Sequence, residues 1–225
     1  MAGILDYLGF EYKMIPDDTD ANGLMELFAD ECERGRKEGF TPVIIPLEDN
    51  LDEYLEDMDD DVSGHFEQCG AAGFFSQREQ EYEDDIDELM SDVTTGDASN
   101  TLVSVFDYES GEIGESAIVY LPTDKPWEAA VLVPFGGWNE CPEPEDMAAV
   151  LKYWFEIYGA VPAAITHDTL EMVVPDAIPR EKALVLAREH YLFCPDRVTQ
   201  CTRTGKLGEL AGDLSVSKVW YFWWD

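Results

Sequence analysis

Apolar residues recur along this chain at two periods, and each period predicts its own elements. A helical period predicts a helix that Asp20 caps and Gly39 ends, followed by a buried strand over 41–47. A short acidic helix is expected to open at Asn50, and the glycine-containing stretch after it is expected to be exposed. Ser76 then begins a capping box with Glu79, before a helical run that has acids along its outer face and the apolar residues Tyr82, Ile86, Leu89, Met90 and Val93.

Beyond Gly96 the apolar period shortens to that of strands. Strands are predicted at 101–108, 116–121 and 128–135, paired antiparallel. A helix that Pro144 introduces and Gly159 ends comes next, and two strands follow about the turn His167-Asp168-Thr169. The remaining predicted elements are a helix from Pro179 to the residues before Pro195, a short helix at 207–214, and an aromatic strand at 220–224.

The chain therefore predicts an α+β fold with a mixed, largely antiparallel sheet covered by helices and the C-terminal aromatic strand in the core. Residues 1–100 are expected to form an acidic part packed on an α+β domain at 101–225. Gly39-x-x-Pro42 and Gly159-x-x-Pro162 each join a helix to a strand, which leaves open either duplication or a shared helix-stop chemistry.

Composition narrows the class of protein. Among 225 residues no apolar run approaches the ~20 that a membrane helix needs, and the start has no basic region typical of a secretory signal. The five cysteines are an odd number at irregular spacing, which favours reduced thiols over a disulfide framework. The expected location is the cytoplasm.

The charge is strongly negative and uneven. Of the net −35, residues 1–100 contribute 29 acids against 5 bases, and residues 101–225 contribute 20 against 9. Such a field repels nucleic acid and anionic membranes, since both require a basic footprint. It is compatible with a basic protein partner and also with solubility alone; the sequence does not give an oligomeric state.

No cofactor or metal site is predicted. The glycine-rich stretch 135–139 lacks a lysine and is followed by acids, which oppose phosphate. Asp57, Asp59 and Asp61 match three ligand positions of a calcium loop, but glycine and glutamate are missing where that loop requires them. His190, Cys194 and Cys201 do not have a usual zinc-ligand spacing.

Catalysis has candidate residues but no complete motif. A cysteine nucleophile would need a histidine base and a carboxylate to orient it, while a buried structural thiol is the alternative. The candidates are Cys141 and Cys194 as nucleophile, His167 and His190 as base, and Asp168, Asp196 and Asp225 as orienting groups.

Four segments together resemble a known family. They are 134–142 (PFGGWNECP), Arg180-Glu181 with Ala183, Cys194-Pro195-Asp196, and the ending 220–225 (WYFWWD). They resemble the family of uncharacterised bacterial proteins called domain of unknown function 4253, or DUF4253, over 127–225, with a weaker likeness at 39–45. The resemblance implies no activity; it implies that the motif residues gather in space.

That gathering suggests a hypothesis about a site. A strand end, a helix end and the chain end are expected to meet at one edge of the sheet, where they either line an aromatic-walled pocket or lock the C-terminus. The residues concerned are Trp138, Asn139, Cys194, Asp196, Trp223, Trp224 and Asp225.

The biochemical activity is unknown from the sequence. The charge and the lack of a complete catalytic motif favour a soluble cytoplasmic interaction or accessory protein, for example of immunity type, whose acidic surface binds a basic protein. The same observations disfavour an enzyme. The alternative is an uncharacterised enzyme or small-ligand binder with a pocket at the edge formed by Trp138, Cys194 and Asp225.

Overall fold

A six-stranded sheet forms the centre of the computed structural model, which describes residues 3–47, 70–107 and 110–225. The strands are β1 (Glu11–Met14), β2 (Thr41–Pro46), β3 (Ser116–Leu121), β4 (Val161–Ile165), β5 (Thr169–Val173) and β6 (Val219–Trp223). Described helices are α1 (Ile4–Leu8), α2 (Ala21–Glu38), α3 (Gly70–Glu81), α4 (Glu83–Leu89), α5 (Ala129–Leu132), α6 (Pro144–Tyr158), α7 (Arg180–Phe193), α8 (Asp196–Thr199) and α9 (Leu207–Leu214).

The strands are arranged in the order β1-β3-β2-β4-β5-β6. β2 and β4 pair in parallel at Ile44 and Ala164, whereas the other neighbours pair antiparallel. The predicted α+β fold with a mixed, largely antiparallel sheet is therefore confirmed. β6 lies at one edge of the sheet, and Trp220, Phe222 and Trp224 are buried in the core, as predicted for the aromatic strand.

Helices cover both faces of the sheet. The larger core joins α6, α7 and α9 to side chains such as Val43 and Phe222, and the smaller core packs Leu24 and Phe28 of α2 against Ile44. Successive residues of β2 thus enter opposite cores, because side chains alternate across a strand. No described helix is long and apolar enough to span a membrane.

The helices that precede the parallel strands β2 and β4 begin and end at residues that the sequence predicted. Asp20 accepts a hydrogen bond from the Gly23 amide at 2.8 Å and so caps α2. Gly39 and Gly159 end α2 and α6 in the left-handed conformation, with φ of 87° and 69°. The two Gly-x-x-Pro connections thereby lead into neighbouring parallel strands, β2 and β4.

Three local predictions are wrong. Ser76 does not begin a helix, because α3 already starts at Gly70 and Ser76 lies within it. The helical run ends at Leu89 instead of continuing to Val93, and Tyr82 interrupts it between α3 and α4.

The other two errors concern strands. Segment 101–108 was predicted as a strand, but its described residues, 101–107, contribute one isolated bridge, Phe106 to Ile113, because the buried carboxylate of Glu171 binds two of their amides. Segment 128–135 forms a 3-10 turn (Pro126–Glu128) and α5, in which the neighbouring alanines 129 and 130 are both buried. The helix predicted at Asn50 and the acids at 57, 59 and 61 lie outside the described residues.

Residues 91–100, which we call the belt, run along α9 and the start of β6. The Thr94 amide donates to the Gly208 carbonyl at 3.0 Å, and the Ser99 carbonyl accepts from the Lys218 and Val219 amides. A side chain at Gly208 would place its Cβ 2.1 Å from the Asp92 carbonyl oxygen. The backbone of the belt therefore packs directly on the backbone of α9.

Candidate functional site

Five of the seven residues expected to gather are linked by hydrogen bonds around the chain end, in a region that we call the C-terminal junction: Asn139, Cys194, Asp196, Trp223 and Asp225. The Asn139 amide group donates to the main-chain oxygen of Asp225 at 2.7 Å. The Asp225 amide donates to Asp196 Oδ2 at 3.1 Å, and the Cys194 thiol donates to the Trp223 carbonyl oxygen at 3.1 Å. Hydrogen bonds thus join the end of α7 and the chain end to the turn between α5 and α6, which stands where a strand end was predicted.

Backbone geometry explains how Asn139 reaches the chain end. Gly136 and Gly137 have φ of 97° and 82°, and Asn139 itself is left-handed at 47°. A Cβ at Gly136 would lie 2.5 Å from the Pro142 carbonyl oxygen, so the turn closes more tightly than another residue allows. The turn brings Trp138 against the larger core, where it is partly buried.

Aromatic side chains fill the inner side of the junction. Trp224 is 1% exposed and packs edge-on against Phe135 and Phe193, at centroid distances of 5.6 and 5.5 Å. Cys194 is fully buried beside them. The residues thus meet in a packed environment that holds the last strand in place.

The candidate nucleophiles are not activated in this environment. Burial raises the pKa of the Cys194 thiol, and burial also raises the pKa of Cys141 well above its usual 9.0. Since the thiolate is the reactive form, both shifts lower reactivity at neutral pH.

His190 is likewise placed for packing. It lies 4.7–4.9 Å between ring centroids from Trp154, Trp220 and Phe222, and burial holds the pKa of its imidazole well below 6.5. Neither ring nitrogen has a hydrogen-bond partner in the described structure. Among the described residues there is no group of three or more histidine, cysteine or acidic side chains that could hold a metal.

Trp223 connects the junction to a second polar region at the β4–β5 turn. Its indole N–H donates to Asp168 Oδ2 at 2.7 Å. The other carboxylate oxygen of Asp168 accepts from the hydroxyls of Thr166 and Thr169, at 2.9 and 2.8 Å. His167 Nε2 lies 3.6 Å from Asp168 Oδ2, so the turn presents a fixed carboxylate beside a half-exposed imidazole.

An open cavity of about 610 Å³, which we call the polar cleft, lies at this turn. It occupies the carboxyl ends of the parallel strands β2 and β4 and the amino end of α2. Its lining comprises Asp20, Ala21, Pro46, most of 101–107, Gly111, residues 166–169 and Tyr221.

Glu171 shapes one wall of the cleft from below. It is fully buried in β5, and its carboxylate accepts bonds from the Val103 amide and from the amide and hydroxyl of Ser104. Burial raises its pKa, while these hydrogen bonds act in the opposite direction. One carboxylate thereby fixes the 101–107 segment over the sheet.

Among the residues that line the cleft, the sequence offered His167 and Asp168 as candidates for catalysis, and it gave no such role to Ser104 or Tyr221, or to Glu171, which binds Ser104. A signal for Glu171 was present, because a charged residue interrupts the apolar strand Leu170 to Val174. Nothing local to 101–107 indicated that its amides would bind a carboxylate about 70 positions away.

A third feature is an acidic outer face on α4. We define the acidic face as five exposed carboxylates, Glu83, Asp84, Asp85, Asp87 and Glu88. Nearby cations bind backbone instead: Lys206 donates to the Glu88 carbonyl, and Arg180 donates to the carbonyls of Val93 and Thr94. Within the described part of the chain, none of the five carboxylates forms an ion pair.

Comparisons with known proteins give one match. Residues 117–225 match the family described as "Domain of unknown function (DUF4253)". No curated protein and no solved structure matches the chain. The matched segment begins within β3 and contains the whole C-terminal junction, whereas the polar cleft combines matched residues such as Asp168 with Asp20 and Ser104 from outside the match.

Proposed function

Residues 117–225 belong to the DUF4253 family, whose description names no activity, and we propose that the chain binds a basic protein instead of catalysing a reaction. In this proposal it is an accessory or immunity-type protein of the cytoplasm. The C-terminal junction supports a structural role for the motif residues, because its thiol has a raised pKa and its aromatic rings are packed.

The acidic face is the observation that carries the proposal. Five carboxylates on a helix of seven residues point to solvent, in a chain with net charge −35. Unpaired surface charges of one sign attract a partner of the opposite sign and speed its association. The nearby lysine and arginine bind backbone carbonyls, so they hold the segment to the domain and leave these carboxylates without ion partners among the described residues.

The experiment is affinity capture from lysate of the source organism with two charge-matched variants. One variant carries Asp84→Asn, Asp87→Asn and Glu88→Gln in the acidic face. The control carries Asp17→Asn, Asp18→Asn and Glu26→Gln, three exposed acids near or in α2. Both lose the same charge, so a difference between them reports position instead of net charge.

We expect the unaltered chain and the control to retain the same basic protein, and the acidic-face variant to lose at least tenfold in affinity for it. The affinity should also fall steeply between 0.05 and 0.2 M NaCl, about the range in which screening lengths approach the spacing of surface charges. Recovery of no basic protein, or equal weakening by both variants, would rule out the acidic face as the binding surface.

A further inference from the structure

The polar cleft has features that binding through the acidic face does not use. Its volume of about 610 Å³ lies within the range of ~300–1,000 Å³ usual for small-molecule sites. It also lies outside the carboxyl ends of two neighbouring parallel strands, β2 and β4, which is where sheets with parallel strands commonly bind ligands.

The charges around the cleft select the class of ligand. Asp20, Asp107 and Asp168 line it, and among its described lining residues there is no lysine or arginine. Within the described lining, the basic side chain is that of His167. An anionic ligand would be repelled by the three carboxylates and by the net charge of −35, whereas a cation would be attracted by the carboxylates and by the net charge.

The carboxylates are fixed before any ligand arrives. Asp168 is held by two threonine hydroxyls and the Trp223 indole, Asp20 by the Gly23 amide, and Asp107 by the amide and hydroxyl of Ser110. A ligand therefore loses little affinity to ordering these side chains.

Several of the remaining lining residues of the cleft are apolar or aromatic, and they could contact the methylene groups of an aliphatic ligand that carries a positive charge. Phe106 and Tyr221 line the cleft, and their ring faces attract both methylene groups and cations. Pro46 and Leu102 add apolar surface. Fixed carboxylates next to aromatic walls are the groups expected to recognise an alkylammonium ion.

We infer that the polar cleft binds a small aliphatic amine, whose ammonium group is attracted by the carboxylates that line the cleft, Asp20, Asp107 and Asp168. This is a second binding activity, independent of the basic partner proposed for the acidic face. A free amine and a lysine side chain present the same ammonium group, and the test separates these two sources.

The test is an NMR titration of the full chain, labelled at histidine, in 0.15 M NaCl. The probes are cadaverine, Nα-acetyl-lysine methylamide, and 1,5-pentanediol as an uncharged match for cadaverine. His167 lies in the cleft and reports binding, while His190 in the core reports that the fold is intact. We expect cadaverine to shift the His167 signal saturably and to leave the His190 signal unchanged.

Two charge-matched pairs test the place of binding. Asp20→Asn with Asp107→Asn removes two cleft charges and retains the side-chain oxygens that accept hydrogen bonds, since asparagine is also a good helix cap. Asp84→Asn with Asp87→Asn removes two charges from the acidic face. We expect the cleft pair to weaken cadaverine binding at least tenfold and the control pair less than twofold.

Three results would overturn the inference: no saturable shift of His167, equal weakening by the two pairs, or equal binding of 1,5-pentanediol. The first two would mean that the amine only joins the diffuse counterion atmosphere, and the third that charge is not recognised. Tighter binding of the lysine derivative than of cadaverine would identify a peptide side chain as the source; tighter binding of cadaverine would identify a free amine. Capture of the basic partner should be unaffected by the cleft pair, so the two proposals fail separately.

Discussion

His190 is a titratable group held in an aromatic box. Its neighbours Trp154, Trp220 and Phe222 offer no acceptor to its nitrogens, and the charge of Arg197 further opposes protonation. In the unfolded chain the imidazole regains a pKa near 6.5. Below that pH the unfolded state binds a proton that the folded state does not, so the free energy of unfolding falls as the pH falls.

We predict that His190→Phe removes this acid sensitivity. Between pH 7 and pH 5 the unaltered chain should lose about 2 kcal/mol more unfolding free energy than the variant, since one proton is linked to unfolding over that interval. Urea denaturation at both pH values measures the difference. The raised pKa values of Glu171 and Glu189 act in both proteins and cancel in the comparison. Parallel pH profiles would show that His190 is protonated in the folded chain.

Some contacts of single residues could be predicted from the sequence, and others could not. Sequence reasoning placed Asn139, Cys194 and Asp225 near one another because each belongs to a motif at the end of a predicted element, and hydrogen bonds in the structure link these motifs. It gave no means to decide how closely they pack, since the ring of Phe135 against Trp224 depends on the fold of a segment predicted as a strand. It also could not place Ser104 beside Glu171, a contact between residues 67 positions apart.

Among the helices and strands, the correct predictions are those in which residues at the ends of an element determine where it begins and ends. Helices α2, α6 and α7 are bounded by glycine, proline or a capping side chain, so nearby sequence determines their ends. The segments at 101–108 and 128–135 are decided by distant partners or by burial of consecutive residues, and a pattern of alternating apolar positions cannot distinguish those cases from a strand.

The contact between the belt and α9 allows a test at this scale. Gly208→Ala would place a Cβ 2.1 Å from the Asp92 carbonyl oxygen, so the belt or the helix must move. Alanine favours a helix by about 1 kcal/mol over glycine, but overpacking of this kind typically costs about 1–3 kcal/mol. We expect net destabilisation, together with faster hydrogen exchange at the Thr94 amide, which donates to Gly208.

Gly23→Ala in α2 is the matched control. Its Cβ would lie 3.3 Å from a side-chain oxygen of Asp20 and would meet no backbone carbonyl. That variant should retain or gain stability in urea denaturation. If Gly208→Ala were as stable as the control and Thr94 exchange were unchanged, the belt would not be packed on α9 as described.

The whole molecule carries 49 acids against 14 bases, and its folded state brings these charges close together. The described ion pairs, such as Lys13 with Glu31 and Lys37 with Glu33, use individual acids and leave the acidic face unneutralised. Repulsion between like charges therefore opposes the compact state, and it is weaker in the expanded unfolded chain. The screening length falls from about 30 Å at 0.01 M salt to about 8 Å at 0.15 M.

Stability should accordingly rise with salt. Between 0.01 and 0.15 M NaCl we expect the unfolding free energy, measured in urea, to increase by about 1–2 kcal/mol, since screening removes long-range repulsion before it weakens contact ion pairs. The acidic-face variant with Asp84→Asn, Asp87→Asn and Glu88→Gln should start from higher stability at low salt and gain less. If NaCl instead lowered the stability of the unaltered chain, attraction within the ion pairs would exceed repulsion among the acids. Nearby cations would then neutralise the carboxylates of the acidic face, and the proposed binding of a basic protein to that face would lose its electrostatic basis.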